Sequence, residues 1–276
     1  MIDIETSDPK RFREYLEVIA TITEDPTLVF SPDGLTVGAM DPSHVSMINL
    51  TLPPGYFDSY HVAATEKFSV SLPKLLKGLG KINKDDYMLR LTYDYDTEIK
   101  EVASKNLIGQ DTQETTLTQI KINENVVLTL ISDINRVKTF PCLEPLEEEL
   151  PSPRIWFKSK TRLISKTLKR ILDDYKDNLT HVTFTATDDS LTIGGESDAY
   201  RESVTLDKHN DNIIEHRIEE STRATYDLDY LTKFLAKAVK VSEVITVEFS
   251  DDMPIKLDVE IPQGKLEYWS APAIGV

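Results

Sequence analysis

Pairs of neighbouring aspartates are the residues whose type and spacing could do chemistry in this sequence. The pairs are Asp94 and Asp96, Asp173 and Asp174, Asp188 and Asp189, and Asp251 and Asp252. Closely spaced carboxylates can hold a divalent cation and support metal-dependent hydrolysis. All but one pair lie in segments with the sequence of a turn or loop, where aspartate is common because it bonds to the local backbone. We interpret these aspartates as structural residues.

Other catalytic constellations are missing from the sequence. Its five histidines have no metal-ligand spacing, and no Gly-rich phosphate loop or Gly-x-Ser-x-Gly motif occurs. The single cysteine, Cys142, has no neighbouring basic residue and excludes an internal disulfide. We predict a protein that is not an enzyme and that carries no metal and no cofactor.

The net charge of −16, from 31 basic and 47 acidic residues, argues against a nucleic-acid partner unless the charge is unevenly placed. Apolar residues recur at helical spacing in four segments, which predicts helices at Pro9–Ile22, Pro73–Lys84, Lys158–Lys176 and Asp227–Lys240. These four segments hold 17 basic and 6 acidic residues, and the remaining 217 residues hold 14 and 41. The predicted helices are therefore basic in an otherwise acidic chain.

The cations lie opposite the apolar stripe of each predicted helix. Lys74, Lys77 and Lys81 recur at i, i+3 and i+7, and Lys233 and Lys237 are four residues apart. A single such face is typical of an ordinary solvated surface. Four alike indicate a shared positive surface.

Strand patterns follow each predicted helix, and they repeat. The segment Asp33–Gly38 (Asp-Gly-Leu-Thr-Val-Gly) aligns with Asp189–Gly194 (Asp-Ser-Leu-Thr-Ile-Gly). The repeating unit is one helix plus about three strands, and it occurs twice in each half. Residues 142–153, with three prolines and four glutamates, read as an extended linker. The sequence predicts an α+β fold with antiparallel sheets and two similar domains, residues 1–141 and 154–276.

With these features the chain resembles the sliding DNA clamps of the proliferating-cell nuclear antigen type, in their archaeal and eukaryotic form. Four stretches carry the resemblance: Leu35–Met47 (LTVGAMDPSHVSM), Tyr226–Phe234 (YDLDYLTKF), Phe249–Ile255 (FSDDMPI) and Leu266–Ile274 (LEYWSAPAI). The resemblance spans nearly the whole chain. It implies the DNA clamp fold, in which three subunits form a ring that encircles duplex DNA and acts as a processivity factor.

In that family the helices line the hole of the ring, and a positive lining attracts phosphates without reading bases. The resemblance implies DNA-facing roles for Lys10, Arg11, Arg13, Lys74, Lys77, Lys81, Lys166, Lys169, Arg170, Lys233 and Lys237. Partner proteins of the family insert a short peptide with aromatic anchors into an apolar pocket. Carried over, its members here are Met40, His44, Val45, Leu146, Leu150, Pro254, Ala271, Pro272 and Ile274. Taken alone, His44 reads as a surface histidine, Leu146 and Leu150 as linker anchors, and the terminal residues as the closure of a sheet edge.

Subunits of the family join edge to edge through strands. The resemblance implies that Asn135–Pro141 pairs with Tyr200–Leu206 of a neighbour, with Val137, Thr139, Arg201, Ser203 and Thr205 in the interface. Implied partners are a second copy or paralogous subunits, double-stranded DNA, a DNA polymerase, a clamp loader, a flap endonuclease and a DNA ligase.

One segment departs from the family, because about 30 residues, Asp94–Asn125, stand where a short turn is usual. We predict an inserted hairpin or loop there. An alternative function is a checkpoint-type or heterotrimeric clamp subunit, which acts as a scaffold without assembling with itself. No run of 18 apolar residues and no secretory signal occurs, so we expect an intracellular protein, in the cytoplasm or nucleoid of an archaeon or the nucleus of a eukaryotic or viral host.

Overall fold

The two halves of the chain contain the same order of elements in the computed structural model. The model describes residues 2–105, 111–145, 153–197 and 200–275, and of residues 100–105 and 111–119 it describes the backbone alone. The first half contains β1 (Ile2–Thr6), α1 (Pro9–Ile19), β2 (Thr27–Ser31), β3 (Gly34–Met40), β4 (Ser46–Leu52), a short 3-10 helix (Pro54–Tyr56), β5 (Ser59–Val62), β6 (Glu66–Ser69), α2 (Leu72–Leu79), β7 (Met88–Lys105), β8 (Asp111–Ile131) and β9 (Arg136–Pro141).

The second half repeats that order without the 3-10 helix. It contains β10 (Ser159–Ile164), α3 (Ser165–Tyr175), β11 (His181–Thr187), β12 (Ser190–Ser197), β13 (Tyr200–Asp207), β14 (Ile213–Ile218), β15 (Thr222–Asp227), α4 (Leu228–Val241), β16 (Val244–Phe249), β17 (Ile255–Val259) and β18 (Lys265–Ser270). The α+β class and the antiparallel sheets are confirmed, and the duplicated unit includes a strand before each helix.

Three antiparallel sheets hold the described strands. Their orders are β5-β1-β7-β8-β9, β14-β10-β16-β17-β18-β4-β3-β2-β6 and β13-β12-β11-β15. The nine-stranded sheet spans both halves, because β18 pairs with β4 from Lys265↔Thr51 to Ser270↔Ser46. Residues from both halves therefore share one sheet.

The four helices pack on the sheets through apolar faces. In α1 the buried residues include Phe12, Tyr15 and Leu16, and in α4 the ring of Phe234 stacks on Tyr268 of β18 at 4.2 Å between centroids. Helix α1 contacts α2 and α4, and α4 contacts α3. The helices thus form a row in the order α2, α1, α4, α3.

Local signals begin α1 and α4 where the sequence predicts. Asp8 caps α1 by accepting a hydrogen bond from the Arg11 amide at 2.9 Å, and Pro9 is the first helical residue. Asp227 caps α4 and accepts from the Asp229 amide at 2.9 Å.

Three predicted helix boundaries are wrong, the first because α1 ends at Ile19 rather than near Ile22. Helix α2 ends at Leu79 rather than near Lys84, because Gly80 adopts a φ of 60° and stops the helix. The segment predicted to start α3 at Lys158 contains strand β10 instead, and the helix begins at Ser165. The buried residues of β10 include Ser159 and Thr161, whose hydroxyls bond to the Phe249 carbonyl and the His216 ring. Because these inward-facing residues are polar, β10 lacks the alternation of apolar and polar residues that predicts a strand.

The segment Asp94–Asn125 contains most of an antiparallel pair of strands. Strands β7 and β8 pair from Met88↔Ile131 through Asp94↔Asn125 to Lys105↔Asp111, with register shifts near Asp96 and Lys105. Residues 106–110, at the turn, lie outside the described residues.

The β2–β3 turn depends on glycine, which gives a prediction about stability. Gly34 has a φ of 129°, and a Cβ there would lie 2.3 Å from the Leu52 carbonyl oxygen. We expect Gly34→Ala to lower the free energy of unfolding by about 1–3 kcal/mol because strain and a clash combine. Urea unfolding measures this. Gly55→Ala is the control, since its Cβ would meet nothing closer than Gln263 Oε1 at 3.7 Å. Equal midpoints for both variants would contradict the prediction.

Candidate nucleic-acid interface and peptide groove

Helices α1 and α4, one from each half, are joined by polar contacts as well as by packing. The Arg11 guanidinium donates to the Val241 carbonyl oxygen at 2.7 Å, and Lys237 Nζ lies 3.3 Å from a carboxylate oxygen of Glu17. These contacts make the outward sides of the two helices one continuous surface.

The structure places ten of the eleven predicted DNA-facing cations on helices. Six are exposed: Lys10, Lys74, Lys77, Lys166, Arg170 and Lys233. Four are half-buried: Arg11, Arg13, Lys169 and Lys237. The exception is Lys81, which is exposed in the loop after α2 because that helix ends early.

The helices are less basic than the sequence predicted. They hold 11 basic and 5 acidic residues, and the rest of the chain holds 20 and 42. The difference arises because Lys158, Lys160 and Arg162 belong to or precede strand β10, because Lys81 and Lys84 follow α2, and because Lys176 follows α3. The contrast between a basic helix row and an acidic remainder persists.

One acidic side chain of helix α1, that of Glu17, forms ion pairs with several cations. Glu17 forms ion pairs with Arg13, Lys237 and Lys240, the last at 3.5 Å. Burial opposes ionisation of Glu17, yet these cations together hold its pKa below the usual value. One carboxylate thus fixes three cations on neighbouring helices and leaves the surface net positive.

The loop after β3, residues 41–45, is organised by one carboxylate. Asp41 accepts hydrogen bonds from the amides of Ser43 and Val45, both at 2.8 Å, and from the Tyr230 hydroxyl at 3.2 Å. His44 is exposed and takes a φ of 57° inside this loop. Because Tyr230 belongs to α4, the loop is tied to a helix of the basic row.

The C-terminal tail runs beside that loop. The Ala271 amide donates to the Val45 carbonyl at 2.8 Å, and the Ala273 amide donates to Thr225 at 2.8 Å. Ile255 pairs with Ser270, which places Pro254 beside the start of the tail. Pro272 is half-buried in it and Ile274 is 76% exposed. The predicted pocket residues from these three segments therefore lie together, whereas Leu146 and Leu150 lie outside the described residues.

An open groove of about 480 Å³ lies next to this cluster, on the face of the nine-stranded sheet opposite the helices. Met40 is the predicted pocket residue that lines it, together with Met47 and Trp269. Register explains the grouping, because Met40 pairs with Met47 and Met47 with Trp269 across β3, β4 and β18. Phe157 packs against Trp269, with 5.8 Å between the ring centroids. We call this cavity the first groove.

Met47, Phe157 and Trp269 were not predicted as pocket residues from the sequence. Met47 and Trp269 alternate with the buried Ile48 and Tyr268, so both occupy positions that face away from the helices. Apolar residues at outward strand positions were the available signal.

Strands β9 and β13 are edge strands of two of the sheets, which is the position that the predicted subunit contacts require. Each pairs on one side alone among the described residues. Val137 is 59% exposed, and Thr139, Arg201, Ser203 and Thr205 are also exposed. These edges can accept another strand.

The aspartate pairs have structural partners. Asp251 accepts from the Arg223 amide at 2.6 Å, Asp189 binds Lys208 at 2.7 Å, and Asp173 pairs with Lys169. In the described part of the chain, no three His, Cys, Asp or Glu residues are grouped to hold a metal ion. Burial and Glu124 raise the pKa of the Cys142 thiol to about 12, which disfavours a thiolate nucleophile. No described helix has the length and apolarity needed to span a membrane.

The Asp41 cluster gives a pH-dependent prediction. Burial opposes ionisation of Asp41, but hydrogen bonds from Ser46, Ser43 and Tyr230 lower its pKa below the ordinary 3.8. The ionised form therefore stabilises the fold above about pH 4, and this contribution disappears as the pH falls through the lowered pKa. We expect Asp41→Asn to lower the free energy of unfolding by about 1–3 kcal/mol at pH 7 and by less at pH 3.

Urea unfolding at both pH values measures the difference. Asp33→Asn, at an exposed turn position, is the matched control and should change stability little. A loss for Asp41→Asn that is equal at pH 7 and pH 3 would refute the role of the ionised carboxylate.

Comparison with known proteins agrees with this architecture. Residues 1–126 match the N-terminal domain family of proliferating cell nuclear antigen, and residues 156–273 match its C-terminal domain family. A DNA polymerase sliding clamp of Thermofilum pendens is 26% identical over 99% of both chains, and DNA polymerase sliding clamp 1 of Pyrobaculum aerophilum is 25% identical over 97% of this chain and 96% of its own.

Solved structures are similar over the same span. The PCNA2–PCNA3 complex from Sulfolobus tokodaii has a chain with a TM-score of 0.80 at 25% identity, covering 98% of both chains. PCNA from Thermococcus kodakaraensis has a TM-score of 0.82 at 19% identity, covering 99% of this chain and 100% of its own, and this likeness concerns the fold alone. With both domain families matched in order along one chain, the protein belongs to the proliferating cell nuclear antigen family.

Proposed function

We propose that the protein is a DNA sliding clamp, a processivity factor without catalytic activity of its own. The observation that carries the proposal is the continuous row of four helices with 11 basic and 5 acidic residues in a chain of net charge −16. Duplex DNA carries one negative charge per ~1.7 Å of its axis, so such a row attracts it independently of sequence. Relatives named DNA polymerase sliding clamp support the same function.

The proposed ring is a trimer joined through β9 and β13. Both strands are exposed edges, and pairing them across subunits would cover backbone groups that otherwise invite aggregation. Three chains with two similar halves each would place twelve helices around one hole. This arrangement turns the basic row of each chain toward the DNA and its acidic remainder outward.

A second candidate is a subunit that forms the ring with paralogous chains. The observation that favours it is a similar structure whose name describes a complex of PCNA2 with PCNA3. In either assembly, the first groove with the 41–45 loop and the C-terminal tail is the docking site for partner peptides. The partners are a DNA polymerase, a clamp loader, a flap endonuclease and a DNA ligase, each bound through aromatic anchors on the apolar surface.

Charge reversal tests the DNA-facing row. Lys77 and Lys166 are exposed on α2 and α3, one in each half. We expect Lys77→Glu with Lys166→Glu to lower the stimulation of a clamp-dependent polymerase on a long primed template by on the order of tenfold, because phosphate attraction becomes repulsion. The control is Lys208→Glu with Arg223→Glu, which changes the same charge at exposed positions outside the helices. Equal stimulation by both variants would remove the lining role.

Solution mass tests the ring. Light scattering of the protein should give three times the chain mass of 31.3 kDa. We expect Val137→Asp with Thr139→Asp to give the mass of one chain, because two carboxylates would then be buried between the joined edges. A wild-type protein that remains a monomer alone but joins paralogous chains would favour the second candidate.

A further inference from the structure

A single row of side chains crosses the outer face of the nine-stranded sheet, from the first groove to the far edge. The strand register opposes Met47 with Trp269, Trp269 with Lys256, Lys256 with Glu248, Glu248 with Lys160 and Lys160 with Arg217. Directly opposed residues project from the same face of a sheet. The row therefore begins apolar and ends basic.

A second groove, of about 460 Å³, lies over the basic end of this row. It shares Pro153, Arg154, Lys265, Glu267 and Trp269 with the first groove. The two cavities are therefore adjacent parts of one surface, and a peptide anchored in the first can continue into the second.

The cations of the row differ in how many carboxylates they contact. In the middle, Lys256 is largely buried and bound to Glu248 at 2.9 Å and Glu267 at 3.2 Å. At the far end, Lys160 is exposed and forms no ion pair with a described residue. Arg217 is 78% exposed and contacts Glu215 alone among the described carboxylates. Among the cations of the row, those available to a ligand lie at the far end.

Two features of this surface are costly to the protein by itself. Lys160 and Arg217 are like charges placed directly opposite each other, an arrangement that destabilises a sheet. Trp156, in the wall of the second groove, is 77% exposed, although its indole Nε1 donates to Glu219 at 3.1 Å. An exposed tryptophan and an exposed arginine are typical of residues that a partner covers.

The spacing of the row sets the length of the ligand. Neighbouring strands lie about 4.8 Å apart, so Lys160 is about 14 Å and Arg217 about 19 Å from Trp269. An extended peptide advances about 3.3 Å per residue. Carboxylates about four to six residues from an aromatic anchor at Trp269 would therefore reach the two cations.

We propose that the second groove recognises an acidic segment in the partner peptide, with Lys160 and Arg217 binding carboxylates placed four to six residues from the aromatic anchor. The proposal rests on the peptide-docking function of the first groove. It adds a selection rule, because partners with the acidic segment gain affinity over partners that have the anchor alone.

The floor of the groove favours a peptide over single-stranded nucleic acid, for which aromatic and basic residues are also suited. Glu248 lies between the anchor position and the basic end, Glu267 lies beside Trp269 on β18, and Glu219 lines the wall. A nucleic acid would bring a phosphate over these carboxylates at each nucleotide. A peptide can cross them with neutral residues.

Two matched synthetic peptides test the proposal. Each has two adjacent phenylalanines in a neutral chain. One peptide carries glutamate and the other glutamine at the positions four to six residues from the phenylalanines. Both peptides are made in two forms, with these positions before or after the phenylalanines. Fluorescence anisotropy measures their binding to the full chain. At low salt we expect one glutamate peptide to bind about 3–10-fold more tightly than its glutamine counterpart.

Variants identify the cations responsible. We expect Lys160→Gln with Arg217→Gln to remove the glutamate advantage and leave the affinity for the glutamine peptide unchanged. Lys208→Gln, which removes an exposed cation elsewhere, should retain the advantage. The advantage should also shrink at high salt because exposed ion pairs are screened.

Three results would overturn the inference, each differently. Equal affinity of both peptides for the wild-type chain would remove the acidic-segment rule and leave the docking function of the first groove intact. Binding of neither peptide would remove that docking function as well. A single-stranded oligothymidylate that displaces the glutamate peptide and loses binding in the Lys160→Gln, Arg217→Gln variant would assign the groove to nucleic acid.

Discussion

The pairing of β4 with β18 is the interaction on which the rest of the structure depends. It joins residues 46–51 to residues 265–270, so a strand of the first half becomes the neighbour of the last strand of the chain. Without it the nine-stranded sheet would divide into two, and α1 would be held against α4 by the contacts between the two helices alone. The core then continues from one half to the other, as shown by Phe234 of α4 stacked on Tyr268 of β18.

Both functional surfaces follow from that shared sheet because its two faces have different chemistry. One face carries helices whose apolar sides are buried and whose other sides are basic. The opposite face carries Met47, Trp269 and Lys256 at alternating strand positions. The proposed DNA-facing and peptide-docking surfaces therefore lie on opposite sides of one layer, so that neither proposed ligand would exclude the other.

The two surfaces also touch at one place. Asp41 holds the loop that contains His44, and its partner Tyr230 belongs to α4, whose exposed side carries Lys233. The loop beside the peptide groove is thus positioned by a helix of the basic row. A change in the position of α4 would be transmitted to that loop through one hydrogen bond and the packing around it.

Much of the fold was predictable because its signals are local. Apolar residues at period 3.6 identified the four helices, and Pro9 marked where the first begins. Strand β10 was missed because Ser159 and Thr161 face the interior and find hydrogen-bond partners far along the chain. Likewise, Gly80 ends α2 before the lysine spacing does, which separates Lys81 from the helix.

By itself the sequence determined the four helices, many of the strands, the internal repeat and the sign of charge on each helix, since these depend on residues a few positions apart. The tertiary structure alone decided which distant residues meet. Met40, Met47 and Trp269 form a groove, and Lys160 lies opposite Arg217, because strand register brings them together. Register between strands more than 200 residues apart depends on the packing of the whole sheet, and no local pattern encodes it.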